Sequence, residues 1–215
     1  MLALELAAVF LLAYLLGSIP TSILLGKLFF HTDIRQHGSR NAGATNAFRV
    51  FGWKAGSAAI LVDAAKGLAA VLLGAMLVGE GAPAFTAKLL AGVSAVGGHI
   101  FTVFAGFRGG KGVGTAAGML IGIHPLALAI AVAAFGIVLV LSGYVSAGSL
   151  SGAVVFPVTV VILNATGTIP APPLLVGFSL FMAAVIFFTH RSNIRRLVTG
   201  TENRFPAVMV FRKNR

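Results

Sequence analysis

Long apolar runs constrain this chain more than any other feature. Hydrophobic residues make up 58% of the 215 positions and charged residues only 10%. A helix needs about 20 apolar residues to cross a bilayer, and a backbone in lipid must satisfy its hydrogen bonds internally. We therefore expect an all-α, multi-pass membrane helix bundle, as one domain over residues 1–215. Six apolar runs are visible, at residues 2–28, 55–78, 87–107, 114–144, 145–166 and 172–189.

The basic residues predict how the chain crosses the membrane. Most of the Lys and Arg residues lie in three segments, 27–54, 107–114 and 190–215. The positive-inside rule places all three in the cytoplasm, whereas six spans would put the third segment opposite the other two. The run 114–144 is too long for one crossing and contains His124-Pro125, where a helix is expected to end.

A break at His124-Pro125 resolves this conflict. It gives a short helix, 112–123, and a full one, 126–144, so that about seven spans are predicted. The N-terminus then lies outside and the C-terminus in the cytoplasm. A helix as short as 112–123 cannot cross a bilayer fully, which indicates a broken or re-entrant element lining a cavity.

The composition excludes several classes of function. No cysteine is present, which excludes disulfides, thiolate metal sites and thioester intermediates. The net charge of +11 would suit nucleic acid, but the basic residues flank apolar runs, where they contact anionic lipid or substrate more simply. Five acidic residues are too few for a carboxylate cage around a metal, so we expect no metal site. We also expect no cofactor and no nucleic acid partner.

Two glycine-rich stretches have the composition of phosphate sites. GSRNAGATNAFR, residues 38–49, combines backbone N–H groups, hydroxyls and two arginines, which suits a phosphate-like anion. A solvated loop is the alternative reading. FRGGKG, residues 107–112, places Lys111 just before a predicted helix start and has glycines that leave the backbone open to a ligand. It is not a Walker A loop, because Ala105 and Gly112 stand where Gly and Ser or Thr are required.

A third polar stretch, HRSNIRR at residues 190–196, follows the last apolar run directly. We expect it to continue from the last span, so that His190, Asn193 and, a turn on, Leu197 share one helical face. A basic helix that only anchors to anionic lipid is the alternative.

Ionisable residues also occur inside the predicted spans. Asp63 and Lys66 are three residues apart, so we interpret them as a mutually neutralising structural pair. His99 and His124 are interpreted as interior or turn histidines.

The three stretches together resemble a known family. GSRNAGATNAFR (38–49), GHIFTVFAGFRGGKGVGT (98–115) and HRSNIRRLVTGTENRF (190–205) are similar, in order and spacing, to the motifs of the bacterial acyl-phosphate:glycerol-3-phosphate acyltransferases called PlsY. The resemblance extends over nearly the whole chain. Two departures are that residues 142–144 lack basic residues expected in some relatives, and that 206–215 has no recognised counterpart.

The resemblance implies an enzyme of the bacterial cytoplasmic membrane whose active site is at the cytoplasmic face. It transfers a fatty acyl group from acyl phosphate to the sn-1 hydroxyl of glycerol 3-phosphate, giving lysophosphatidic acid and phosphate, the first step of phospholipid biosynthesis. Membrane lipids are further partners, and the oligomeric state is left open.

Residue roles follow from the same resemblance. The implied catalytic residues are Ser39, Arg49, Lys111, His190 and Asn193. The implied substrate-binding residues are Gly38, Asn41, Gly43, Thr45, Asn46, Gly109, Gly110, Gly112, Ser146 and Ser149. For Glu202 the resemblance suggests a structural role.

The chemistry of acyl phosphate fits this residue set. It is a mixed anhydride whose phosphate leaves readily, so no covalent enzyme intermediate is needed. We expect direct attack by the glycerol hydroxyl, while Lys111, Arg49, Ser39 and the glycine backbone neutralise the departing phosphate. His190 and Asn193 are expected to orient glycerol 3-phosphate. The proton acceptor is either His190 or a substrate phosphate oxygen, and the second is favoured.

Two other functions compete with this interpretation. A transporter of organic anions would place its site near the bilayer midplane between internal repeats, whereas the polar groups here cluster at one interface. A CDP-alcohol phosphatidyltransferase needs clustered aspartates, and the chain has only Asp33 and Asp63.

Overall fold

The structure is a computed structural model that describes residues 1–205. The last ten residues, including the end of the third basic segment and the tail without a counterpart, lie outside the described residues. Within the described part every regular element is a helix. The helices group into two compact units, one comprising residues 1–123 and the other beginning at residue 124.

The first unit contains six α-helices and two single turns of 3-10 helix. The α-helices are α1 (Leu2–Gly17), α2 (Thr21–Phe30), α3 (Ala44–Phe51), α4 (Trp53–Val78), α5 (Ala82–Ile100) and α6 (Val113–Ile123). The 3-10 turns are Ile34–Gln36 and Val103–Ala105. The second unit contains α7 (Pro125–Ser142), α8 (Val145–Ala165), α9 (Pro173–Thr189) and α10 (Arg191–Val198).

The predicted apolar segments are confirmed as helices. Within residues 1–205, five helical segments are long and apolar enough to span a membrane, and α9 with α10 makes a sixth if that bent pair is one span. The short apolar helix α6 is the remaining predicted segment. The break at His124-Pro125 is also confirmed, since α6 ends at Ile123 and α7 begins at Pro125. Proline suits this first helical position, and His124 Nδ1 accepts a hydrogen bond from the Ala127 N–H at 3.3 Å.

The first apolar run, residues 2–28, contains two helices, α1 and α2, which together form one candidate span, Leu2–Phe30. It breaks between α1 and α2, because Pro20 has no N–H to donate to the preceding turn. Side chains satisfy the carbonyls at the break. Thr102 Oγ1 donates to the Ser18 carbonyl, and Lys66 Nζ donates to the Ile19 carbonyl at 3.0 Å.

The third motif follows the last span directly, as expected, but as a second helix and not as a straight continuation. α9 and α10 meet at an angle of 62°, and His190 stands at the bend. The His190 N–H still donates to the Ile186 and Phe187 carbonyls, and Arg191 Nη1 donates to the Phe188 carbonyl at 3.1 Å. The end of α9 is therefore satisfied locally, so the chain can turn here.

Small residues let the helices of the first unit approach closely. A Cβ on Gly17 of α1 would overlap the backbone of Ala95 in α5, and a Cβ on Gly118 of α6 would overlap the backbone of Ala64 in α4. Such close approach is how membrane helices gain packing energy without a hydrophobic driving force between them.

Candidate active site

The predicted site residues divide between the two units. The first unit contains those of the first two motifs: Gly38, Ser39, Asn41, Gly43, Thr45, Asn46, Arg49, Gly109, Gly110, Lys111 and Gly112. The second unit contains Ser146, Ser149, His190 and Asn193.

Asn46 organises the loop of the first motif. It lies in the first turn of α3 and is 1% exposed. Its Nδ2 donates to the carbonyls of Ile34 (3.2 Å), His37 (2.9 Å) and Asn41 (3.0 Å), while its Oδ1 accepts from the Ser39 N–H (2.9 Å). The side chain is therefore engaged by the loop itself. Its predicted contact with substrate stays a prediction.

The remaining residues of this loop lead into the N-terminus of α3. Arg40 has a left-handed backbone (φ +59°), and Asn41 Oδ1 accepts from the Gly43 N–H at 3.0 Å. Gly43 directly precedes α3, and the N-terminus of this helix receives no side-chain cap from the described residues. Helix N-termini favour anions, because their first N–H groups have no partner within the helix. Arg49 lies half-buried in the last turn of the same helix.

An ion pair just before the first motif contacts the segment just before the second. Arg35 Nη2 lies 2.7 Å from Asp33 Oδ2, and Arg35 Nη1 donates to the Ala105 carbonyl at 2.9 Å. The hydrogen bond from Arg35 lowers the pKa of Asp33 below its ordinary value. The carboxylate that precedes the first motif is thus neutralised by its neighbour.

The glycines of the second loop pack against the end of α5. The Gly109 N–H donates to the Ile100 carbonyl at 3.0 Å, and the Gly110 N–H donates to the His99 carbonyl at 3.1 Å. The prediction that the backbone is open to a ligand is therefore wrong for these two N–H groups. A Cβ on Gly109 would overlap the His99 carbonyl oxygen, so close packing is what requires glycine here. Gly112 has φ +83° and leads directly into α6.

The two loops approach each other at their glycines. A Cβ on Gly43 would lie 4.0 Å from the Gly110 Cα. Lys111 follows immediately and is half-buried. The structure thus brings the start of α3 and the second glycine motif together within the first unit.

A buried carboxylate lies behind the second loop. Asp63 Oδ1 is 2.8 Å from Lys66 Nζ, accepts from Thr21 Oγ1 at 2.9 Å and lies 3.5 Å from His99 Nδ1. This confirms the predicted Asp63–Lys66 pair and the interior position of His99. Sequence reasoning missed the contacts with Thr21 and His99, which no local spacing could indicate.

Glu202 gathers the third motif within the second unit. Its Oε1 accepts from Asn193 Nδ2 at 2.7 Å and from Ser146 Oγ at 3.0 Å, and its Oε2 accepts from Arg196 Nε at 2.6 Å. These contacts agree with the structural role expected for Glu202. Ser149 Oγ instead donates to the Val145 carbonyl of its own helix at 3.0 Å.

Sequence reasoning missed the contacts that fix the segment after α10. Arg204 Nε donates to Tyr144 Oη at 2.8 Å, and the Phe205 N–H donates to the Gly143 carbonyl at 2.8 Å. These contacts hold residues 204–205 beside the turn between α7 and α8. The basic side chain near Tyr144 is thus supplied from a distant part of the chain.

His190 is buried, and its contacts define its tautomer. Nδ1 lies 2.8 Å from the Ile186 carbonyl oxygen, and His190 is 3% exposed. A carbonyl can only accept, so Nδ1 carries a hydrogen in this contact.

Comparison with known proteins identifies the family. The family described as glycerol-3-phosphate acyltransferase matches residues 7–200. A glycerol-3-phosphate acyltransferase of Chlorobaculum parvum is 48% identical over 220 residues, covering 92% of this chain and 95% of the relative. One of Chlorobium phaeovibrioides is 45% identical over 237 residues, covering 98% and 99%.

Two solved structures share the fold. Both are crystal structures of PlsY (YgiH), an integral membrane glycerol 3-phosphate acyltransferase, each covering 93% of this chain and 95% of its own. The glycerol 3-phosphate form has a TM-score of 0.80 at 32% identity, and the lysophosphatidic acid form 0.78 at 30%. The chain therefore belongs to the glycerol-3-phosphate acyltransferase family and is a multi-pass integral membrane acyltransferase.

Proposed function

We propose that this enzyme transfers a fatty acyl group from acyl phosphate to the sn-1 hydroxyl of glycerol 3-phosphate. The products are lysophosphatidic acid and inorganic phosphate. Support comes from the solved relatives, which are described in a glycerol 3-phosphate form and a lysophosphatidic acid form. Under this proposal both substrates present a phosphate to the protein.

The observation that carries the proposal is the meeting of the two glycine loops in the first unit. Gly43 at the start of α3 faces Gly110, and Lys111 is next in the chain. A helix N-terminus beside a lysine favours a phosphate. The nearby Asp33 is paired with Arg35, so its negative charge opposes an anion less.

In the proposed reaction the sn-1 oxygen attacks the acyl carbon directly. A carbon–oxygen ester bond forms, and the bond between the acyl carbon and the phosphate oxygen breaks. Lys111, Arg49 and Ser39 neutralise the phosphate as it leaves. Because phosphate is a good leaving group, the chain needs no covalent nucleophile.

The third motif supplies orientation in this proposal. Asn193 is held by Glu202 in a fixed position, and His190 is anchored through Nδ1 to the Ile186 carbonyl. These two residues orient glycerol 3-phosphate. The hydroxyl proton passes to a substrate phosphate oxygen, whose second pKa is about 6.

The proposed location is the bacterial cytoplasmic membrane, with the N-terminus outside and the motifs at the cytoplasmic face. The basis is the positive-inside rule, since the segments with the motifs are also the segments rich in Lys and Arg. Glycerol 3-phosphate enters from the cytoplasm, and the acyl chain stays among helices or lipid.

The test is formation of labelled lysophosphatidic acid by the purified protein in detergent. Labelled glycerol 3-phosphate is supplied with acyl phosphate, acyl-CoA or acyl-carrier protein in parallel. We expect product from acyl phosphate alone, with a fall of about 10²-fold in Lys111→Ala, because an electrostatic contact to the leaving group is lost. Lys88→Ala, in α5 and outside the motifs, is the matched control.

Two results would contradict the proposal. Equal turnover with acyl-CoA would refute the donor, and absence of product with every donor from a folded protein would refute the transfer reaction in this form.

A further inference from the structure

The His99 side chain fills the space that Gly110 leaves open. His99 is 7% exposed, in the last turns of α5. A Cβ on Gly110 would overlap His99 Nε2 and would lie 3.1 Å from both Cδ2 and Cε1. The three atoms nearest to that position all belong to the His99 ring.

His99 also holds Gly110 through the backbone. Its carbonyl accepts the Gly110 N–H at 3.1 Å, while its ring packs on the Gly110 Cα. Gly110 is therefore restrained on two sides by one residue. Because Lys111 is the next residue, the same restraint determines where the Lys111 backbone lies.

The His99 ring is also held on its Nδ1 side, by the buried carboxylate of Asp63. His99 Nδ1 lies 3.5 Å from Asp63 Oδ1, which is fixed in turn by Lys66 at 2.8 Å and Thr21 at 2.9 Å. Nδ1 is thus directed to the carboxylate, and Nε2 is the ring atom nearest to Gly110. Lys66 also donates to the Ile19 carbonyl at the break between α1 and α2.

We propose that His99 is a positioning residue, which holds the second glycine loop in the geometry in which Lys111 binds substrate phosphate. The buried Asp63–Lys66 pair fixes the orientation of the ring. This inference rests on the proposed function in one respect, namely that the bound group is a phosphate.

Two neighbouring glycines provide a matched test. Gly110→Ala would place its Cβ against the His99 ring, whereas Gly109→Ala would place its Cβ against the His99 backbone carbonyl. Neither glycine has a positive φ, so contact and not backbone conformation determines the cost. Truncation by His99→Ala removes the first obstacle and leaves the second in place.

We expect Gly110→Ala and Gly109→Ala each to lower kcat/KM with acyl phosphate by about 10²-fold, the order of effect of misplacing a binding group by 1 Å. The double variant His99→Ala/Gly110→Ala should recover about tenfold relative to Gly110→Ala. The double variant His99→Ala/Gly109→Ala should recover nothing. His99→Ala alone should raise KM more than it lowers kcat, and His99→Asn, which keeps a donor toward Asp63, should be intermediate.

The same variants are compared by the increase in unfolding temperature that glycerol 3-phosphate or inorganic phosphate produces in detergent. This readout separates the positioning role of His99 from the assignment of acyl phosphate as donor, because it does not require an acyl donor. Suppose that the wild-type enzyme is inactive with acyl phosphate, but that His99→Ala restores the phosphate-induced shift in Gly110→Ala and not in Gly109→Ala. That result would refute the donor assignment but support the role of His99. Equal rescue of both glycine variants, unaltered activity of Gly110→Ala, or an unchanged KM in His99→Ala would refute the positioning role.

Discussion

Asn46→Asp is the sharpest test of how the first motif is built. The change is nearly isosteric, but it replaces the Nδ2 group, which donates to three backbone carbonyls, by an oxygen that cannot donate. Oδ1 still accepts from the Ser39 N–H. Because Nδ2 has two hydrogens, the three contacts amount to two full hydrogen bonds, one of them shared. At about 1 kcal/mol for each, the closed loop is destabilised by about 2 kcal/mol, before any repulsion among the oxygens.

A penalty of that size corresponds to about a 30-fold fall in kcat/KM, since 1.36 kcal/mol is a factor of ten. The assay is labelled lysophosphatidic acid formation, combined with the rate of trypsin cleavage after the exposed Arg40. We expect slower transfer and faster cleavage. Asn164→Asp is the matched control, because Asn164 Oδ1 accepts from the Ala171 N–H and a carboxylate can do the same. Wild-type transfer and cleavage rates in Asn46→Asp would refute the reasoning.

Three further predictions concern charged groups. Glu202→Gln should lower stability by about 1–3 kcal/mol and reduce activity, because an amide N–H₂ would face Arg196 Nε; an unchanged unfolding temperature would contradict this. The pKa of Asp33 is lowered by its hydrogen bond from Arg35, so its contribution to stability is complete above the ordinary value of 3.8 and is lost as the pH falls through the folded-state pKa. Asp33→Asn should flatten that part of the acid limb of a thermal unfolding profile, and an identical profile would argue against it. If a substrate phosphate accepts the proton, His190→Gln should slow transfer but keep the acid limb of the kcat/KM profile near pH 6, whereas loss of that limb would make His190 the base.

The apolar runs alone determined that this chain forms membrane helices. Their length follows from bilayer thickness, and His124-Pro125 predicted the end of α6 because proline acts on its immediate neighbours. The Asp63–Lys66 pair was also predictable, since both residues lie on one helix at a spacing of three. The motifs were sufficient for the family, because three separate short patterns occur in order.

Only the tertiary structure decided what individual motif residues contact. Asn46 binds carbonyls up to 12 residues away, and Glu202 accepts from Ser146, which is 56 residues away. The bend at His190 depends on contacts at the end of α9 that hydropathy does not describe. Gly110 is glycine because the ring of His99 occupies the place of its Cβ. Hydropathy and proline act over one or two helical turns, so the helices could be predicted from the sequence. The contacts of the site exist only after distant segments have packed together, so they were decided by the tertiary structure.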